Sequence, residues 1–145
     1  MPIIAIDLAR DPGLRAALAE AELPTTDIGA PGRLFFCLME SGQPAAYGGL
    51  ELHGEAGLLR SLVVPPAFRG RGFGRDMTLA LIGEARTRGL TKLWLLTLTA
   101  ADFFAKLGFE RTDRSAAPAI IGASEEFATL CPATAVCMTR ALTPT

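Results

Sequence analysis

Residues 69 to 75 read Arg-Gly-Arg-Gly-Phe-Gly-Arg, three glycines alternating with larger side chains of which three are cationic. Without a Cβ in the way, several backbone N–H groups can converge on one point. If such a loop opens a helix, the helix dipole adds about half a positive charge at that point. Arg69, Arg71 and Arg75 add planar donors that suit phosphate oxygens. The chemistry this pattern offers is the grip of a phosphate or diphosphate. Two other phosphate loops fail on spacing. A dinucleotide fingerprint needs its third glycine where Arg75 stands, and a P-loop needs Gly-Lys-Ser/Thr where Asp76 and Met77 follow Arg75. A tight strand-to-helix connection with no ligand is the competing reading, and three arginines count against it.

A loop of this kind needs a strand before it and a helix after it. Strands are expected over 33–40, 45–52 and 57–64, with turns at Ser41-Gly42-Gln43-Pro44 and His53-Gly54-Glu55-Ala56. They form an antiparallel meander that Pro65-Pro66 ends. After the loop, Leu79, Ile82 and Ala85 continue a helix that Gly89 can cap. The run 92–98 is apolar on both faces, as a buried central strand is. Strand, loop, helix and strand make a right-handed crossover, so 57–64 and 92–98 should be parallel. Upstream, 3–8 reads as a strand, Asp11-Pro12 as a helix start and Leu14, Ala17, Leu18 and Ala21 as one apolar stripe. That helix should end near Leu23-Pro24, with 25–32 a loop. Downstream come a short helix 100–107, Gly108-Phe109, an irregular 110–118, a helix near 119–130 and a last strand 134–142.

With 145 residues, half of them apolar, the chain has room for one α/β domain, residues 1–145, and none for a second. Fourteen basic against fifteen acidic residues give no long-range field to gather nucleic acid or an anionic membrane. Cys37, Cys131 and Cys137 are odd in number and lack a CxxC pair, and one histidine gives little help, so neither a disulfide framework nor a metal site is expected. No signal-peptide pattern opens the chain, and no apolar run approaches the roughly 20 residues of a bilayer span. A soluble, cytoplasmic protein is expected.

The loop and its setting resemble the GNAT superfamily of N-acyltransferases. Arg69, Gly72 and Gly74 match that family's Gln/Arg-x-x-Gly-x-Gly/Ala signature, after the hydrophobic strand Leu62-Val63-Val64-Pro65-Pro66. Phe103-Phe104-Ala105-Lys106-Leu107-Gly108-Phe109 looks like its Phe-Tyr-x-x-x-Gly-Phe segment, and the likeness covers residues 46 to 109. Leu58-Leu59-Arg60-Ser61-Leu62, Ser124-Glu125-Glu126-Phe127 and Leu130-Cys131-Pro132 look like GNAT proteins found with arsenic-resistance genes, which are similar to N-acetylglutamate-synthase-type enzymes. The resemblance implies a mixed, mostly antiparallel α/β (α+β) sheet, splayed between its fourth and fifth strands, with helices on both faces. It also implies acetyl-CoA as co-substrate, no metal, a small-molecule amine as acceptor and a possible homodimer.

On that resemblance, Leu62, Val63 and Val64 face the pantetheine arm. Arg69, Gly70, Arg71, Gly72, Phe73, Gly74 and Arg75 hold the diphosphate, and Phe103 and Phe104 complete the cofactor site. An amine attacking a thioester must first lose a proton. Pairing the strands across the 53–56 turn sets Glu51 opposite Leu58 and Arg60 diagonally beside it. Glu51 is thus a candidate base or water-holder, and Arg60 a candidate clamp for a substrate carboxylate; a structural salt bridge between the two is an equal reading. Ser61 and Thr99 are candidate substrate contacts, and Thr97 and Thr99 are equally able to satisfy local backbone. His53 reads as a solvated turn residue and Cys131 as a buried structural thiol rather than an acyl carrier. Phe104 stands where many family members carry the tyrosine that protonates the leaving thiolate. An acyl-CoA-binding module without catalysis and a domain that binds ATP or NAD are the alternatives.

Overall fold

The computed structural model describes residues 3–7, 13–124, 127 and 134–143. Seven strands form one sheet: β1 (Ile3–Ala5), β2 (Arg33–Glu40), β3 (Gln43–His53), β4 (Ala56–Val63), β5 (Lys92–Thr97), β6 (Glu110–Thr112) and β7 (Val136–Ala141). Their spatial order is β1-β2-β3-β4-β5-β7-β6, and every pair is antiparallel except β4 and β5. Ser41 and Gly42 turn β2 into β3 with φ of 50° and 79°, the double left-handed geometry of a two-residue hairpin loop.

The parallel pair positions everything that follows. β4 meets β5 only over Ala56 to Leu58, opposite Lys92 to Trp94, whereas β5 pairs with β7 along its whole length. Beyond Leu58 and Trp94 the two strands part, as the family resemblance implies.

Alternation along the strands sends side chains to two faces. On one face Phe36, Leu50, Leu59 and Leu93 meet Met77 and Leu81 of α2 (Phe73–Thr87), with Phe104 of α3 (Ala101–Ala105) beside them. Gly48 lets α2 lie this close: a Cβ there would fall 2.6 Å from a Leu81 methyl. On the other face Leu14 and Leu18 of α1 (Gly13–Glu20) cover Phe35, Cys37 and Tyr47, and Ile121 of α4 (Ala119–Gly122) covers Leu58, Trp94 and Cys137. Each fully buried leucine or methionine in these layers contributes about 1.5–3 kcal/mol.

Several boundaries differ from the sequence reading. β6 lies inside the segment read as irregular; Glu-Arg-Thr has no apolar alternation, and its pairing with β7 is a tertiary contact that sequence periodicity does not show. α1 stops at Glu20 rather than near Leu23-Pro24, because a left-handed residue at Glu22 closes it first. β3 runs on to His53, leaving a turn of only Gly54 and Glu55. The helix near 119–130 is described only over Ala119–Gly122; 125–126 and 128–130, like Asp11-Pro12, lie outside the described residues.

Candidate functional site

A 3₁₀ turn over Pro66–Phe68 delivers the chain from β4 to the glycine loop. Gly70 and Gly72 have φ of 79° and 82°, so any other residue there would be strained. Gly72 is the N-cap of α2, and no side chain caps that helix end. The first-turn N–H groups therefore remain available to an external anion. The guanidinium of Arg71 lies over the rings of Phe68 and Phe73, 5.7 and 5.0 Å from their centroids, while Arg69 Nε donates to the Val64 carbonyl at 3.0 Å. Positions 69 to 72 and Arg75 are exposed. A Cβ on Gly74 would sit 3.6 Å from both Val64 and Phe103, so β4's end, the loop and α3 share one corner.

Next to that corner, the parting of β4 and β5 opens a cavity of about 740 Å³. Its walls are residues 59–62 of β4, residues 95–100 along and beyond β5, Phe104, Ala135, and residues 21–26 between α1 and β2. Arg60, Ser61, Leu62, Thr99 and Phe104, all singled out from the sequence, come together here. Ser61 has φ of 59°, and the β3–β4 register slips between Tyr47–Val63 and Gly49–Arg60. The extra residue is a bulge, which locally breaks the ladder and twists the strand. Thr97 Oγ1 accepts the Ala100 N–H at 3.0 Å, satisfying backbone just ahead of α3. Phe104 is packed edge-on against Phe103 and Phe109, with ring centroids 5.0 and 5.7 Å away.

Behind the cavity wall lies a buried charge network. Arg60 Nη2 donates to Asp27 Oδ1 at 2.7 Å, Nη1 donates to Asp27 Oδ2 and, at 2.8 Å, to Glu51 Oε2, and Nε donates to Ser61 Oγ at 3.1 Å. Arg33 Nε adds a contact to Asp27 at 3.3 Å, and His53 Nε2 lies 2.9 Å from Glu51 Oε1. The side chains of Asp27, Glu51 and Arg60 are fully buried. Burial pulls the Asp27 carboxyl upward, but the hydrogen bonds and charges of Arg60 and Arg33 outweigh it and hold the group below its ordinary value.

Glu51 and Arg60 are therefore neighbours, as the register arithmetic expects, joined in the salt bridge that was its alternative outcome. The guanidinium expected to meet a substrate carboxylate is turned onto two protein carboxylates, and Glu51 does not line the cavity. His53 is a mostly buried strand residue held to Glu51, not a solvated turn residue, because β3 extends through it. Asp27, 33 positions from Arg60, is the residue sequence reasoning missed. Its loop carries no periodic signal from which burial could have been read, and in the structure Asp27 is buried beside Ile28.

Cys37 and Cys137 are buried thiols, Cys37 Sγ donating to Met39 Sδ at 3.7 Å, and burial raises the Cys137 thiol, with Arg114 opposing and Asp113 reinforcing the shift. Cys131 lies outside the described residues. Among the described residues no group of three metal-ligating side chains occurs, and no helix is long and apolar enough to cross a membrane.

Residues 5–109 match the Acetyltransferase (GNAT) family. The chain belongs to the GNAT acetyltransferases. Among solved GNAT structures, N-acetylglutamate synthase from Neisseria gonorrhoeae, complexed with coenzyme A and L-arginine, is 18% identical with a TM-score of 0.79, over 97% of this chain and 32% of that one. Rv2747 from Mycobacterium tuberculosis, in complex with CoA, is 19% identical with a TM-score of 0.81, over 99% of this chain and 100% of that one. The ribosomal-protein-S18-alanine N-acetyltransferase from Escherichia coli is 21% identical with a TM-score of 0.72, over 99% and 94%. This chain spans about a third of the length of the synthase. Likeness at these identities establishes the GNAT fold, and the family that residues 5–109 match is one of acetyltransferases.

Proposed function

We propose that this GNAT domain transfers the acetyl group of acetyl-CoA to the amine of a small molecule by direct attack, with no acyl-enzyme intermediate. The observation that carries the reading is the cleft between β4 and β5 opening beside an uncapped, arginine-flanked helix start. The residues present suit the co-substrate. The amides of 70–75 with Arg71 and Arg75 would hold its diphosphate, and the backbone of Leu62 to Val64, past the end of the β4–β5 pairing, would meet the amide-rich arm. Gly74, Phe103 and Phe104 would line its path. Acetyl-CoA supplies the acetyl group already activated as a thioester.

The described thiols favour direct transfer, because Cys37 and Cys137 are buried and the Cys137 thiol is held in its protonated form. We assign Arg60, Asp27 and Glu51 to positioning: together they fix the strand that carries Ser61 and Leu62 against the loop that carries Thr25 and Thr26. Phe104 has no proton to give. A CoA thiol ionises near the ordinary thiol value of about 8.5, so the thiolate can leave unprotonated or take a proton from water.

Incubation with acetyl-CoA and a panel of amines is expected to release free CoA in proportion to N-acetylated product. Tight CoA binding with no release across the panel would instead support a non-catalytic acyl-CoA-binding module, the reading that Phe104 favours.

A further inference from the structure

Among the described residues, Glu22, Ser41 and Ser61 are the non-glycine residues with positive φ. Ser41 belongs to a hairpin turn whose geometry demands it. The other two, Glu22 and Ser61, each at 59°, both line the cavity between β4 and β5.

Glu22 closes α1. Its N–H donates to the Ala19 carbonyl at 3.1 Å and the Leu23 N–H to the Leu18 carbonyl at 2.9 Å, the paired backward bonds that end a helix through one left-handed residue. Glycine is the default there, since a Cβ crowds the following carbonyl. The glutamate side chain returns nothing to the fold: it is exposed, and among the described residues no hydrogen bond or ion pair engages its carboxylate. Strain that packing does not explain marks functional positions.

The rest of the cavity wall gives that carboxylate its meaning. The wall is mainly apolar, with the hydroxyls of Thr25, Thr26, Ser61, Thr97 and Thr99. Among the described residues, the one other ionisable side chain in it, Arg60, is neutralised by Asp27 and Glu51. A lone negative charge on an apolar, hydroxyl-bearing cleft selects for a cation with an apolar body.

We infer that Glu22 is the recognition group for the protonated amine of the acceptor, and that the acceptor class is an apolar-bodied primary amine rather than one needing a carboxylate clamp. The inference rests on the amine-transfer reading above and narrows it.

The test uses 2-phenylethylamine, its neutral N-acetyl derivative and phenylalanine as probes, with wild type, Glu22→Gln and Glu22→Gly. Calorimetry in the presence of CoA measures binding, free-thiol release measures transfer, and thermal unfolding measures stability. Glu22→Gly is expected to raise the melting temperature by a few degrees and leave CoA affinity unchanged. Both variants should weaken phenylethylamine binding and raise its KM by about tenfold or more, the size of a lost charge-assisted hydrogen bond. The neutral derivative should bind wild type and variants equally weakly. Amine affinity and KM within about twofold of wild type in both variants would overturn the inference, as would wild type binding no phenylethylamine or preferring phenylalanine. Glu22-dependent binding without CoA release would uphold recognition and sink transfer; CoA release indifferent to Glu22 would do the reverse.

Discussion

The glycine loop and the Asp27–Arg60–Glu51 network both set arginine where an anionic group can meet it, yet they are built in opposite ways. The loop is exposed, contiguous in sequence and relies on backbone amides, with Arg71 laid on two phenylalanine rings. The network is buried, joins residues 33 positions apart and relies on side chains that satisfy one another. An exposed helix start that no side chain caps is poised for an outside anion. A buried cluster that is already neutralised holds elements in place. On that difference we propose the first for the co-substrate and the second for the shape of the acceptor cavity.

The sharpest way to break the comparison is to cut the network. Arg60→Ala leaves two carboxylates buried without their partner, and unfolding in denaturant should show a loss of about 3–5 kcal/mol. A loss below about 1 kcal/mol would place the pair among solvated surface bridges. Replacing all three together, Asp27→Leu and Glu51→Met with Arg60→Met, should recover most of that loss, since apolar side chains of similar volume carry no desolvation penalty.

Acid provides the next test. The folded Asp27 carboxyl is held below its unfolded value of about 3.9. Its contribution is therefore present in full above that pH and is lost as pH falls through the lower, folded value. Melting temperature followed from pH 6 to pH 2 should drop in the acid part of this range, and Asp27→Asn should start lower and show a shallower drop.

The loop should respond differently. Gly72→Ala introduces a side chain at φ of 82°, so a stability loss of about 1–2 kcal/mol is expected from backbone geometry alone. CoA affinity should fall with it by about tenfold, while pantetheine, which lacks the diphosphate, should bind as to wild type. The smallest effect belongs to Arg71→Ala: unchanged stability within about 0.5 kcal/mol, with CoA affinity reduced a few-fold and less sensitive to salt. A destabilisation as large as that of Arg60→Ala would erase the distinction between the two regions.

The same contrast explains what sequence reasoning reached. The loop, its strand and its helix were legible because glycine spacing and apolar periodicity are local, and Glu51 opposite Leu58 followed from turn length and the period of two. Arg60 was paired with Glu51 by that arithmetic, but its second partner was not. Asp27 reaches it from a segment without periodicity, and only the folded chain brings α1's trailing loop over β4. β6 was hidden for the same reason, since three polar residues become a strand only through β7. Glu22 escaped notice because a helix C-cap is expected to carry glycine and the next proline drew the boundary instead.

The central claim is that residues 69–75 hold the diphosphate while the arm enters between β4 and β5. Backbone amide resonances followed by NMR as CoA is added test it most directly. The largest shifts are expected at Gly70 to Arg75 and at Leu62 to Val64, with pantetheine moving only the second group. Shifts concentrated away from both segments, or a loop unmoved at saturating CoA, would contradict it.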